Sequence, residues 1–240
     1  IFSDHLDYHN NLKEYINSKF RIQSLLHTNY NLYLSKKLFL KYQRNLKINK
    51  KRLVFFNEQI STKKDLAHYI KELNLNSINK LVHNIDPKIK IDTSLVSDEL
   101  NYRNQLIYNL NNLKIYNDSK CTNLNNAIYK NNLINSSQKI LILGGKFKKQ
   151  DVNCKFNVTN TLVLIFGHQH DLFLDHLNFV NSKYFKFNNL NQLIDFLKLI
   201  IKSHKFDYIL FSPGGESYDV YNDYLDRGKH FNQLIKKVLF

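Results

Sequence analysis

Short apolar runs bounded by turn residues mark the second half of this chain, at 105–110, 113–116, 139–143, 161–166, 184–187 and 208–211. A run of this length without alternation suits a strand covered on both faces of a parallel sheet. The first two runs, separated by Asn111-Asn112, predict a hairpin. A helical pattern fills 189–204. After 208–211, Ser212-Pro213-Gly214-Gly215 stops the strand. Ser217 or Asp219 is then placed to cap a helix, along which Tyr221, Tyr224, Leu225, Phe231, Leu234 and Ile235 recur near helical spacing. Strands alternating with helices predict a mostly parallel, Rossmann-like α/β sheet.

The first half is patterned differently. Residues 1–26 read as a turn and a helix, with Asn11 as N-cap and Glu14 reaching back in a capping box. Leu12, Tyr15, Ile16 and Phe20 share one face of that helix. Residues 29–35 and 52–56 read as strands joined by a very basic connection, 36–51, and 65–82 reads as helical. The character changes near 98–102, which divides the chain into domains 1–98 and 99–240.

Composition changes this picture little. The net charge of +15 invites a nucleic-acid partner, but the lysines are scattered and form no stripe with arginine. Asn, Lys, Ile, Tyr and Phe abound while Gly, Pro, Trp and Met are scarce or absent, as A+T-rich codons would give. Charge is therefore read as compositional, with no nucleic-acid partner. Two cysteines without CxxC spacing imply neither a disulfide framework nor a zinc site. No segment is long and apolar enough to span a membrane, so no membrane partner is expected. The chain opens at Ile1 without methionine, inside what reads as an element. It is expected to lack an upstream part.

The candidate chemistry follows the strands. Polar clusters at 118–122, 144–148, 167 and 212–217 each succeed an apolar run. In a parallel sheet such ends share one edge, where ligands bind. Lys120 and Lys148 could meet phosphate or carboxylate there, and Asp118 a ribose hydroxyl. Each also has an ordinary reading, as a solvated lysine or a tight turn. His5 and His9 have the spacing of a zinc helix but lack the HExxH glutamate. Lys19 lies near an apolar helix face, where a lysine can simply snorkel. His168, His170 and His176 read as loop histidines. No GxxxxGK[ST] loop occurs in the chain.

Four stretches resemble motifs of one family. Residues 1–22, IFSDHLDYHNNLKEYINSKFRI, resemble a central-domain DHLD-H segment followed by a helix with a special lysine. Residues 116–123, YNDSKCTN, resemble NDSKATN, and 140–151, ILILGGKFKKQD, resemble GGKDKGxD. Residues 211–231 resemble SPxxASFDxFxxFxxRGxxF. Together they resemble the Mur ligase family, and the last signature its D-glutamate-adding branch. The resemblance implies a remnant of the central ATP-binding domain over 1–98 and a Rossmann-like carboxy-terminal domain over 99–240. It implies a cytoplasmic, monomeric enzyme of peptidoglycan synthesis using ATP and Mg²⁺. Its substrates would be UDP-N-acetylmuramoyl-L-alanine and D-glutamate, joined through an acyl phosphate.

By matching motifs, His5 and Lys19 would serve the metal and the chemistry, Lys19 as a carbamate. Arg103 and Asp118 would hold the nucleotide, with Lys120 near a phosphate. Thr122 and Lys148 would hold one carboxylate of D-glutamate; Ser217 and the backbone near Tyr224 would hold the other. The sequence departs from the family at four places. The P-loop and amino-terminal domain are absent from these residues. An adenine-site HNxxN motif reads His68-Tyr69-Ile70-Lys71-Glu72. The acid and glycine of GGKDKG are Phe147 and Lys149, and LPHR is Leu100-Asn101-Tyr102-Arg103. Such a piece is expected to be inactive alone. A folylpolyglutamate-synthase-like ligase and a degenerate, non-catalytic relative are the other readings.

Overall fold

The computed structural model describes residues 9–27, 29–56, 75, 78–89, 101–110, 112–148 and 155–239. His5 and the 68–72 stretch lie outside the described residues. The chain divides into two compact units, Ser3–Asp98 and Glu99–Phe240.

The first unit starts with α1 (Leu12–Phe20), which buries Tyr15 and Phe20. Asn11 caps it, its Oδ1 accepting from Glu14 N at 2.9 Å. Glu14 does not close the expected capping box: its Oε2 accepts from the Asn10 backbone at 3.0 Å. The reciprocal bond is displaced by one residue. β1 (Leu32–Ser35) and β2 (Leu53–Phe56) pair in parallel. The basic connection between them is largely helical. It holds α2 (Lys36–Tyr42), capped by Ser35 Oγ, and two short 3₁₀ turns. Residues 78–85 are helical.

The second unit is built on a six-stranded sheet. Its strands are β3 (Gln105–Leu110), β4 (Leu113–Asn117), β5 (Lys139–Gly144), β7 (Thr161–Phe166), β9 (Lys183–Phe187) and β10 (Tyr208–Gly214). The spatial order is β3-β4-β10-β5-β7-β9. β3 and β4 form the expected hairpin, with Asn112 at positive φ, and all other pairings are parallel. β5 is buried at every position. The mostly parallel α/β architecture read from the apolar runs is the one present.

One face of the sheet packs Ile140, Ile142, Leu164, Ile209 and Phe211 against α5 (Leu190–Ser203) and α6 (Tyr224–Leu239), through Leu193, Leu197 and Phe231. Phe211 and Phe231 stack at 4.0 Å between centroids. α3 (Leu124–Leu133) lies against β10. Two further strands, β6 (Phe156–Thr159) and β8 (Leu177–Val180), pair separately in parallel, and α4 (His170–Leu174) follows β7. α6 starts later than the sequence suggests. Neither Ser217 nor Asp219 caps it; Asp223 Oδ1 accepts from Asp226 N at 2.8 Å instead. The carbonyl of Ser217 receives Val220 N and Tyr221 N, so the intervening residues form a turn.

Candidate functional site

Because β4, β10 and β5 run in one direction side by side, their carboxyl ends meet. The loops that follow them are joined by backbone hydrogen bonds. Asp118 N donates to Phe211 O at 2.7 Å and Gly214 N to Cys121 O at 2.9 Å. Lys146 and Glu216 exchange both of their backbone bonds, each at 2.8 Å. That approach needs Gly145: its φ is +93°, and a Cβ there would lie 2.3 Å from Glu216 O. The clusters read along the chain therefore share one polar edge.

The residue that fastens this edge is Arg227, which is fully buried. Its Nε donates to Ser119 Oγ at 3.1 Å, one terminal nitrogen to Ser119 O at 2.7 Å and the other to Gly215 O at 3.0 Å. Ser119 Oγ in turn donates to Tyr224 O at 2.8 Å. The fork thus clamps the loop after β4 to the loop after β10. Burial pulls the guanidinium down to about 10, and Asp219 opposes that shift. It stays charged at neutral pH. The matching arginine of the RGxxF signature was visible in sequence, but its partners Ser119 and Gly215 lie 108 and 12 residues away along the chain, and its role was not visible.

Asp118 is buried, and three donors converge on its carboxylate. Lys130 Nζ lies 2.7 Å and Ser212 Oγ 2.8 Å from Oδ2, and Asn104 N donates to Oδ1 at 3.2 Å. Lys120 N donates to Tyr102 O at 3.0 Å. Arg103, exposed, is therefore held between two residues tied to the 118–120 loop. Tyr102 packs over Gly228, where a Cβ would meet its ring at 2.4 Å. Lys120 Nζ sits 4.0 Å above the Tyr224 ring, a cation–π arrangement. Thr122 is half-buried just before Asn123, which caps α3 by accepting from Asn126 N at 3.1 Å. Ser217 is buried. Burial, followed by the Asp118 charge, pushes the Cys121 thiol up, so it is no nucleophile at neutral pH.

On the loop after β5, Lys148 Nζ lies 3.7 Å from Glu216 Oε1. Phe147 packs edge-on against Phe173 and also against His176, each at 5.0 Å, and its N–H donates to Gln169 Oε1 at 2.7 Å. An aromatic at this position anchors the loop to α4. Arg103, Asp118, Lys120, Thr122, Lys148, Ser217 and Tyr224 thus belong to the second unit, and direct bonds or ring contacts link the loops that carry them. Lys19 belongs to the first unit. It is exposed, with Nζ 5.1 Å from the Tyr15 ring.

No protein-family model matches the chain. Curated relatives do. A UDP-N-acetylmuramoylalanine–D-glutamate ligase of Petrotoga mobilis is 32% identical over 95% of this chain and 49% of that protein. Ligases of the same name from Fervidobacterium nodosum and Pseudothermotoga lettingae are 27% and 29% identical, over 100% and 98% of this chain and 57% and 58% of theirs. Over 95% or more of its length the chain is similar in sequence to these ligases. It spans about half the length of the curated relatives it matches.

Set beside the family signature SPxxASFDxFxxF, the stretch from Ser212 keeps Ser212, Pro213, Ser217 and Asp219. The Mur ligase alanine before the serine is Glu216 here, and the three phenylalanines are Tyr218, Tyr221 and Tyr224. Tyr221 uses its added hydroxyl, which lies 2.9 Å from His230 Nδ1. Among the described residues, no three His, Cys, Asp or Glu side chains stand close enough to hold a metal ion. No described helix is long and apolar enough to cross a membrane.

Proposed function

We propose that this chain is the nucleotide- and amino-acid-facing part of an ATP-dependent ligase. The ligase adds D-glutamate to UDP-N-acetylmuramoyl-L-alanine through an acyl phosphate in peptidoglycan synthesis, in the cytoplasm and as a monomer. The observation that carries this reading is the clamp of Arg227 on Ser119 and Gly215. It joins the NDSKATN-like loop to the signature of the D-glutamate-adding branch at one sheet edge.

The roles follow from the chemistry at that edge. Arg103 and Lys120 are the cations available to nucleotide phosphates. Asp118 shapes their surroundings, since its own oxygens are already taken by Lys130, Ser212 and Asn104. Thr122 and Lys148 take one carboxylate of D-glutamate. Ser217 and the backbone near Tyr224 take the other. Residues 1–98 are assigned to the central domain and 99–240 to the carboxy-terminal domain. His5 and Lys19 remain the candidates for magnesium and for catalysis. With no GxxxxGK[ST] loop among its 240 residues, the piece is inactive by itself.

The test is ATP hydrolysis by the complete gene product. Hydrolysis should depend on D-glutamate, and Lys120→Ala should lower it about a hundredfold, as expected for losing one charge-stabilising donor. Hydrolysis indifferent to D-glutamate would refute the reading. A non-catalytic relative is the second reading, favoured by the full engagement of Asp118. It predicts no nucleotide binding at all.

A further inference from the structure

The loops after β5 and β10 run side by side where Lys146 and Glu216 exchange backbone bonds, each at 2.8 Å. The pairing carries the Glu216 side chain to Lys148, with Nζ and Oε1 3.7 Å apart and the two side chains 20% and 30% exposed. The family signature has alanine at this position, a side chain with nothing to offer an ammonium. In this chain a carboxylate stands beside the lysine to which the proposed function gives the carboxylate of the incoming amino acid.

We propose that Glu216 is a specificity-determining residue of this site, an internal carboxylate that competes with the acidic substrate for Lys148. The proposal rests on the D-glutamate reading above. Two carboxylates drawn to one ammonium repel each other, so the ligand must turn Glu216 away or bind beside its charge. Affinity for an acidic ligand is then lowered by the fraction of molecules in which Lys148 is engaged. The pair is partly solvated, and such pairs are weak, so the site stays open to a carboxylate at moderate concentration. The arrangement disfavours weak or misplaced carboxylates and leaves a ligand with a second anchor, at Ser217, able to displace Glu216. Glu216 itself cannot leave, because its backbone is fixed to Lys146 on one side and precedes buried Ser217 on the other.

The experiment is a titration of the 240-residue chain with D-glutamate, followed by NMR, on the unaltered protein, Glu216→Gln, Lys148→Gln and the double variant. Glu216→Gln keeps the shape, and its fold is checked by circular dichroism. It should bind D-glutamate on the order of fivefold more tightly. Lys148→Gln should bind more weakly, and Glu216→Gln should have no effect in that background. Added salt should shrink the gain. Binding by the unaltered chain that Glu216→Gln leaves unchanged overturns the proposal while the D-glutamate reading stands. Binding that Glu216→Gln weakens also overturns it, by showing that Glu216 contacts the ligand's amine. Absence of binding by the unaltered chain and Glu216→Gln alike overturns the D-glutamate reading, and the proposal with it.

Discussion

A lysine at the foot of β5 carries a pH signature. Lys139 is 3% exposed and donates to Asn131 O at 2.9 Å and Ile134 O at 2.7 Å, carbonyls at the end of α3. Burial pulls its ammonium down to about 8. A base whose folded pKa lies below its unfolded value is costly while it stays protonated. Below pH 8 both states hold the proton and the full cost is present. Between about 8 and the ordinary 10.5, the unfolded chain binds more protons, so stability rises with pH. The gain amounts to about 3 kcal/mol by the upper end. Lys139→Met should flatten that rise in urea-denaturation midpoints measured from pH 7 to 10.5. An equal slope in both proteins would refute the assignment. Arg227 behaves differently, because its charge is fully used. Arg227→Met strands Ser119 O and Gly215 O and should cost about 3 kcal/mol. Arg227→Lys should recover little, since one ammonium cannot span the fork. Recovery to the original urea midpoint would show that only the charge matters.

Elements separate what the sequence declares from what it hides. The central strands were legible because each is a continuous apolar run, the form that burial on both faces demands. β6 and β8 were not: FNVT and LNFV are four residues each, interrupted by polar residues, and paired with each other. α3 was hidden by its asparagines, yet Ala127, Ile128 and Leu124 are buried beneath them. Tertiary packing outweighed weak propensity there. The start of that helix rests on Asn123, the last residue of the NDSKATN-like motif, so a site motif doubles as a cap. Asn123→Ala should cost about 1 kcal/mol in urea denaturation. Since α3 also carries Lys130 to Asp118, the Asn104 amide, which bonds the same carboxylate, should exchange faster with solvent. Unchanged exchange would mean that the cap and the Asp118 cluster are uncoupled. The position of the site was legible from polar clusters following strands. Its internal wiring was not, because Asp118 draws its partners from Asn104, Lys130 and Ser212, and nothing in their spacing announces that they meet.

At the scale of the molecule, the two units are unequally founded. The buried apolar side chains of the first, among the described residues, are Tyr15, Phe20, Leu34 and Tyr42. The second buries every position of β5 and most of β7 and β10, and packs one face of that sheet against α5 and α6 in a single cluster. Hydrophobic burial is the main source of stability, so the second unit has the means to fold independently. All the loops that gather Arg103, Asp118, Lys120, Thr122, Lys148, Ser217 and Tyr224 also lie within it. Residues 99–240 expressed alone should therefore unfold in one cooperative step, with the urea midpoint of the corresponding transition in the whole chain. The chain has no tryptophan, so tyrosine fluorescence reports the event. Tyr116 and Tyr208 stack across the adjacent strands β4 and β10. A broad, non-cooperative loss of signal would show that the second unit depends on the first. A cooperative one would establish that the edge holding the candidate site is assembled by this unit's own core.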